Sequence, residues 1–138
     1  MVATEKLTLE VAVPQRLVVR EQVDEVQVPA ADGYVGILPD HAPMITELGI
    51  GVLSFKLAGK TRYMAINGGA MEVLPDHVRV LADTAEWAEE IDVQRAQRAR
   101  RQANDLLQEH TMEIDVEEAL AAIRRAEARL EAHHRANG

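Results

Sequence analysis

In the first part of the chain, hydrophobic side chains recur at every second position. The run LTLEVAV at residues 7–13 has this period of two, which predicts a half-buried strand. Similar short runs follow at residues 17–19, 26–28, 51–55, 62–66, 71–73 and 77–81. Turn signals separate them, at Asp32-Gly33, Ala58-Gly59-Lys60, Asn67-Gly68-Gly69 and Pro75-Asp76. Many short strands at this spacing predict an antiparallel sandwich or a flattened barrel.

After residue 84 the hydrophobic spacing becomes helical. One stripe is formed by Ile91, Ala96, Ala99, Ala103 and Leu106, and a second by Val116, Ala119, Ile123, Ala126 and Leu130. Asp115, with Glu118 three residues later, resembles an N-cap with its capping-box acid and predicts a helix start near residue 115. The predicted fold class is α+β: an N-terminal antiparallel β-sandwich at residues 1–84, a linker at 85–90 and a C-terminal antiparallel two-helix hairpin at 91–138.

The predicted seam between the two helices is mostly alanine. Each alanine buries much less apolar area than a leucine, and short helices depend on packing for their stability. The hairpin is therefore expected to be weakly held and able to move as an arm. A fixed two-helix appendage is the alternative.

Charge and composition exclude several functions. The formal net charge is −8, from 15 Lys and Arg against 23 Asp and Glu, which argues against binding nucleic acid or anionic lipid. Aromatic residues make up 3%, and there is no cysteine for a disulfide framework or a thiolate site. No apolar stretch approaches the ~20 residues of a membrane span, so we expect a soluble, cytoplasmic protein that meets a membrane only through a partner.

The sequence contains no motif of a catalytic site. A nucleophile elbow, a phosphate-binding loop and a zinc-protease motif are all missing. His133 and His134 are adjacent, so on a helix they point to different sides and make a poor metal pair. We expect a protein that is not an enzyme and has no metal site.

Three arginines form a candidate anion site. Arg125 and Arg129 are four residues apart and share a helix face, and Arg95 lies opposite them if the helices are antiparallel. Converging guanidinium groups match a polyphosphate. The alternative, which composition alone favours, is that they form surface pairs with Glu89, Asp92 or Glu127.

Three segments resemble one protein family. Residues 33–43, GYVGILPDHAP, resemble the G-x-x-G-I-L-P-G-H-A-P segment of the epsilon subunit of F-type ATP synthases. Residues 67–73, NGGAMEV, are similar to its S-G-G-x-x-E-V run, and residues 80–85, VLADTA, to its V-L-A-D-x-A. These segments occur in the family's order, and the resemblance covers essentially the whole chain.

The resemblance implies a β-sandwich that binds the gamma subunit and contacts the c-ring in the central stalk. It thereby couples rotation of the ring to ATP synthesis in the catalytic head. The hairpin would inhibit ATP hydrolysis when it extends into the alpha/beta head. It would relieve this inhibition when it is folded down. The implied location is peripheral, on the cytoplasmic side of the cell inner membrane.

The family's ATP-binding motif, I/L-D-x-x-R-A, matches residues 91–96. The resemblance implies a regulatory ATP and no required cofactor. The implied ATP-binding residues are Glu86, Asp92, Arg95, Ala96, Arg125 and Arg129.

The resemblance also implies three kinds of protein contact. His41 is a candidate contact for gamma, and Tyr34 lies in a loop expected to face the c-ring, where the family commonly has glutamate. Asp40 replaces the family's usual glycine. Arg98, Arg100 and Arg101 are candidate contacts for the beta subunit, with a solvated basic face as the alternative. The rival to this whole function is a free-standing sandwich module with a helical appendage.

Overall fold

The structure, a computed structural model, describes residues 6–109 and 115–138. Eight strands come first, followed by a short 3-10 turn at Ala88–Glu90 and two helices, α1 (Val93–Gln108) and α2 (Val116–Asn137). The prediction of a β-sandwich followed by a helical hairpin is confirmed. The strands are β1 (Leu7–Val13), β2 (Arg16–Val23), β3 (Glu25–Ala30), β4 (Gly33–Ile37), β5 (Met44–Glu47), β6 (Ile50–Leu57), β7 (Lys60–Leu74) and β8 (His77–Trp87).

The strands form one hydrogen-bonded path that folds around a shared core. Its order is β2-β1-β8-β7-β6-β3-β4, with β5 paired to β7. The described strand pairs are antiparallel except β1 and β8, which run parallel. The alternating residues of β1 that predicted a half-buried strand, Leu7, Leu9 and Val11, are fully buried. They pack with residues of the other long strands, including Phe55 and Met64.

The predicted turn at residues 67–69 is wrong, because β7 runs through it without a break. Gly68 and Gly69 have φ angles of 63° and 111°, which favour glycine and bend the strand. A Cβ on Gly69 would overlap the carbonyl oxygen of Leu81. The bend lets the first half of β7 pair with β6 and the second half with β5.

Two short strands, β4 and β5, were not predicted from the hydrophobic pattern. Ile37 is the only fully buried residue of β4, and β5 has none. Strands with so little buried surface leave no clear alternation in the sequence. Their positions follow instead from pairing with β3 and β7.

Both helices begin at an aspartate. The Asp92 carboxylate accepts a hydrogen bond from the backbone N–H of Arg95 at 3.0 Å, and Asp115 accepts one from Glu118 at 3.1 Å. The predicted start of the second helix is thus confirmed. Leu106, however, is 48% exposed, so it is not a buried residue of the predicted seam.

The hairpin contacts the sandwich mainly through α2. Ala128 and Ala132 of α2 pack in one apolar cluster with Val52 of β6 and Ala65 of β7. The main packing partner of α1 is α2, and alanines are buried in both helices. We call the contact surface formed by Ala128, Ala132, Val52 and Ala65 the seat of α2.

Candidate functional site

A cleft of about 430 Å³ lies where the end of β8, the 3-10 turn and both helices meet. Its volume falls within the range of small-molecule sites. The lining brings together four of the six residues predicted to bind ATP: Glu86, Asp92, Arg95 and Ala96. Arg129, a fifth, lines it from α2. Sequence reasoning missed two lining residues, Glu90 and Ala99.

An ion pair joins the two domains at this cleft. The Nε of Arg129 donates to the Glu86 carboxylate at 2.8 Å, with each side chain about one-third exposed (33% and 36%). Glu86 is on β8 and Arg129 is on α2, so the pair links the sheet to the helix that rests on it. Since both groups are already paired, an incoming anion must share or displace Glu86.

Asp92 and Arg95 come from the start of α1. The Asp92 side chain caps the helix, which fixes its carboxylate beside the cleft. The Arg95 side chain is exposed, and none of the ion pairs found within residues 6–109 and 115–138 involves it. The Arg95 guanidinium is therefore available for a phosphate.

Arg125, the sixth predicted residue, does not line this cleft. Its guanidinium donates to Glu118 at 2.6 Å, and its side chain borders a separate small crevice against the sheet, beside Asn67 and Thr84. Arg129 borders both cavities. Arg125 and Arg129 therefore both form ion pairs in this conformation, but their partners are Glu118 and Glu86. The alternative had named Glu89, Asp92 or Glu127 as the partners.

The lining of the cleft combines charged side chains of both signs. Among the described residues, its lining has two guanidinium groups and three carboxylates, and no serine, threonine, histidine or cysteine. Within the described part of the chain, no three His, Cys, Asp or Glu residues are grouped to hold a metal ion. Two positive and three negative side chains leave the lining with a formal net charge of −1, so only the two arginines favour a bound phosphate.

Tyr34 lies in strand β4 rather than in a loop. Its hydroxyl accepts a hydrogen bond from the backbone N–H of Val52 at 2.9 Å. The ring lies over Gly51, where a Cβ would come within 2.5 Å of the hydroxyl oxygen. Although the residue is 58% exposed, this bond ties the tyrosine to the centre of the sheet.

His41 follows a residue with an unusual backbone. Asp40, which stands where the family usually has glycine, adopts a φ of 66°, a region that aspartate tolerates better than most residues. The Nδ1 of His41 lies 2.7 Å from the Ala42 carbonyl oxygen, and the side chain is partly exposed. Asp40 therefore adopts a left-handed conformation that glycine would adopt without strain.

The three arginines predicted to contact the beta subunit are exposed along α1. None of them lines the cleft. Their exposure fits a contact face and a solvated face equally well, so both interpretations stand. The residues are Arg98, Arg100 and Arg101.

Two arginines pack over aromatic rings near the hairpin. The Arg135 guanidinium of α2 lies 4.9 Å from the ring centroid of Tyr63 on β7. The Arg62 guanidinium lies 3.8 Å from the Trp87 ring and pairs with Glu89 at 3.7 Å. Sequence reasoning missed both contacts, since no local spacing relates the partners.

This geometry defines the class as a β-sandwich carrying a helical hairpin, with a charged cleft at their junction. Residues 6–88 match the family profile described as the beta-sandwich domain of the ATP synthase delta/epsilon chain. Residues 89–134 match the long alpha-helix domain of the same chain. The chain belongs to the ATP synthase delta/epsilon chain family, which confirms the resemblance seen in the sequence.

Individual relatives agree. The ATP synthase epsilon chain of Solibacter usitatus is 56% identical over 124 residues, covering 90% of this chain and 92% of the relative. The epsilon chain of Symbiobacterium thermophilum is 46% identical over 127 residues, with 91% of both chains covered.

A solved structure has the same fold. It is a chain in the Euglena gracilis mitochondrial ATP synthase, from a structure of OSCP, F1 and the c-ring, and it superposes with a TM-score of 0.84 at 22% identity. The match covers 96% of this chain and 83% of that one. At this identity the likeness supports the fold alone.

Proposed function

We propose that this protein is the epsilon subunit of the central stalk in an F-type ATP synthase. Its sandwich binds the gamma subunit and contacts the c-ring, and so couples rotation of the ring to ATP synthesis in the alpha/beta head. The family membership and the epsilon-chain relatives support this role. The protein acts as a non-catalytic subunit.

The proposed location is the cytoplasmic side of the inner membrane, where the subunit is peripheral. Among the described helices, none is long and apolar enough to cross a bilayer. In this proposal the membrane contact belongs to the complex, through the c-ring.

The hairpin is the proposed regulatory element. The observation that carries this proposal is the seat of α2, which consists largely of alanines on the helix side. Because small side chains bury little apolar area, the folded-down position has only a modest advantage over an extended one. In the extended position the hairpin reaches the alpha/beta head and inhibits ATP hydrolysis.

ATP is the proposed signal that favours the folded-down hairpin. The cleft is formed jointly by β8, the 3-10 turn and both helices, so moving the hairpin away from the sheet would separate its lining residues. A ligand that binds one of two conformations shifts the population toward it by its difference in affinity. Arg95 and Arg129 would hold the phosphates, and the backbone at Ala96 would allow close approach.

Copurification and truncation test the proposed role in assembly. The full chain should form a stable complex with the gamma subunit. A chain lacking residues 89–138 should still bind gamma while changing the inhibition of ATP hydrolysis in the complex. Failure of the full chain to bind gamma would contradict the role, and loss of binding in the truncation alone would place the gamma surface on the hairpin.

A further inference from the structure

We propose that Glu90 sets the selectivity of the cleft: its carboxylate opposes the bound phosphates and weakens ATP binding more than ADP binding. This inference rests on the proposed nucleotide role of the cleft. It concerns a residue that neither the sequence pattern nor the motif identified.

Two consecutive glutamates at the end of the 3-10 turn face different surroundings. Glu90 lines the cleft together with Arg95 and Arg129. Glu89 is outside the cleft lining and pairs with Arg62 at 3.7 Å. Of these two neighbouring glutamates, therefore, only Glu90 is part of the lining of the cleft.

The other two carboxylates of the cleft are compensated. Glu86 is paired with Arg129 at 2.8 Å. Asp92 accepts the N–H of Arg95 and lies at the N-terminus of α1, where the helix dipole favours a negative charge. Among the ion pairs of the described residues, none involves Glu90.

This balance has an electrostatic consequence for a bound nucleotide. Arg95, together with Arg129 where the ligand shares it with Glu86, attracts the phosphates, while the charge of Glu90 repels them across the solvent-exposed cleft. The repulsion increases with the charge of the ligand, so it acts more strongly on ATP than on ADP. It also decreases with added salt, because the cleft is open to solvent.

Neutralising Glu90 should therefore tighten ATP binding. For charges several ångströms apart in a solvated cleft, we expect the Glu90→Gln variant to bind ATP about three- to tenfold more tightly than the wild type does. Its affinity for ADP should rise by a smaller factor. Glu89→Gln makes the same charge change in the same turn, outside the lining, and should alter the ATP affinity by less than about twofold.

The experiment is calorimetric titration of the full chain with ATP and with ADP, at low and high salt. The expected result is tighter ATP binding in Glu90→Gln alone, with a gain that diminishes at high salt. Equal affinities in Glu90→Gln and wild type, or equal gains in both glutamine variants, would overturn the inference and leave the nucleotide site standing. Weaker binding by Glu90→Gln would also overturn it, because the carboxylate would then be a ligand contact.

A different result would remove the nucleotide role itself. If neither wild type nor the two variants bind ATP at millimolar concentration, the cleft is not a nucleotide site, and the inference falls with it.

Discussion

The two helices of the hairpin are held in very different ways. The longer helix, α2, packs on β6 and β7 through alanines and adds two polar links, Arg129 to Glu86 and Arg135 over Tyr63. The first helix, α1, packs chiefly on α2 and presents its arginines to solvent. The position of the whole hairpin therefore depends on the seat of α2.

This difference indicates where a conformational change can begin. Separating α2 from the sheet exposes only a small apolar cluster, whereas the core of the sandwich stays closed. The hairpin is thus expected to detach at lower cost than the sandwich unfolds, as elements with few buried apolar contacts do.

The largest effect is expected from a charge placed in the seat. Ala132 is fully buried there, so Ala132→Glu should detach α2, because an unpaired buried charge costs several kcal/mol. Hydrogen exchange at the Val52 and Ala65 amides should become faster, while the rest of the sandwich keeps its protection. Ala136→Glu, on an exposed position of the same helix, is the matched control. Unchanged hydrogen exchange in Ala132→Glu would show that packing in the seat is not needed to hold α2 on the sheet.

The next largest effect concerns nucleotide binding by the two arginines of α2. Both Arg125→Ala and Arg129→Ala are expected to weaken ATP binding. Arg129→Ala should do so tenfold or more, and more strongly than Arg125→Ala, because Arg129 lines the cleft and Arg125 is turned toward Glu118.

Calorimetry with ATP measures both variants, and Arg124→Ala, exposed and outside the cleft, is the control. An undiminished affinity of Arg129→Ala for ATP would exclude a contact between Arg129 and the nucleotide. A larger loss in Arg125→Ala would show that its side chain turns into the cleft on binding.

A smaller effect is expected at the cation–π contact between Arg135 and Tyr63. Tyr63→Leu removes the aromatic ring and should reduce the advantage of the seated hairpin by about 0.5–1 kcal/mol. Tyr63→Phe keeps the ring and should behave like wild type. The seated fraction can be followed by the distance between two labels, since the natural chain has no cysteine to interfere. Equal effects of Tyr63→Leu and Tyr63→Phe would show that the aromatic ring does not stabilise the seated hairpin.

The smallest effect on the isolated protein is expected on α1. Arg100→Ala and Arg101→Ala change exposed side chains, so each should alter stability by no more than about 0.5 kcal/mol. If these residues contact the beta subunit, the same variants should relieve inhibition of hydrolysis in the assembled enzyme. If the double variant, Arg100→Ala with Arg101→Ala, still inhibits ATP hydrolysis fully, the interpretation of these arginines as a solvated face is favoured.

The sequence predicted those parts of the fold that leave a local pattern. The alternation in β1 and the cap at Asp115 correspond to the structure because burial and capping act over a few residues. The bend of β7 at Gly68 and Gly69 was mistaken for a turn, since glycine permits both and only the pairing with β5 and β6 decides.

The candidate site was predicted in two ways, from the spacing of the arginines and from the family's motif. The match of residues 91–96 to the family's motif implied Asp92, Arg95 and Ala96, and all three line the cleft. Whether Arg125 turns toward the cleft, and whether Glu90 or Glu89 faces it, depends on tertiary packing and on ion pairs with distant residues. No periodicity in the sequence contains that information.

The most direct test of a hairpin whose position ATP controls is a distance measurement between the sandwich and α2. Cysteines introduced at Gln27 and Ala136, both exposed, would carry spin labels. ATP should increase the fraction of molecules with the single distance of the seated hairpin, and Arg129→Ala should reduce that response. A distance distribution that stays the same with and without saturating ATP would contradict the nucleotide-controlled hairpin.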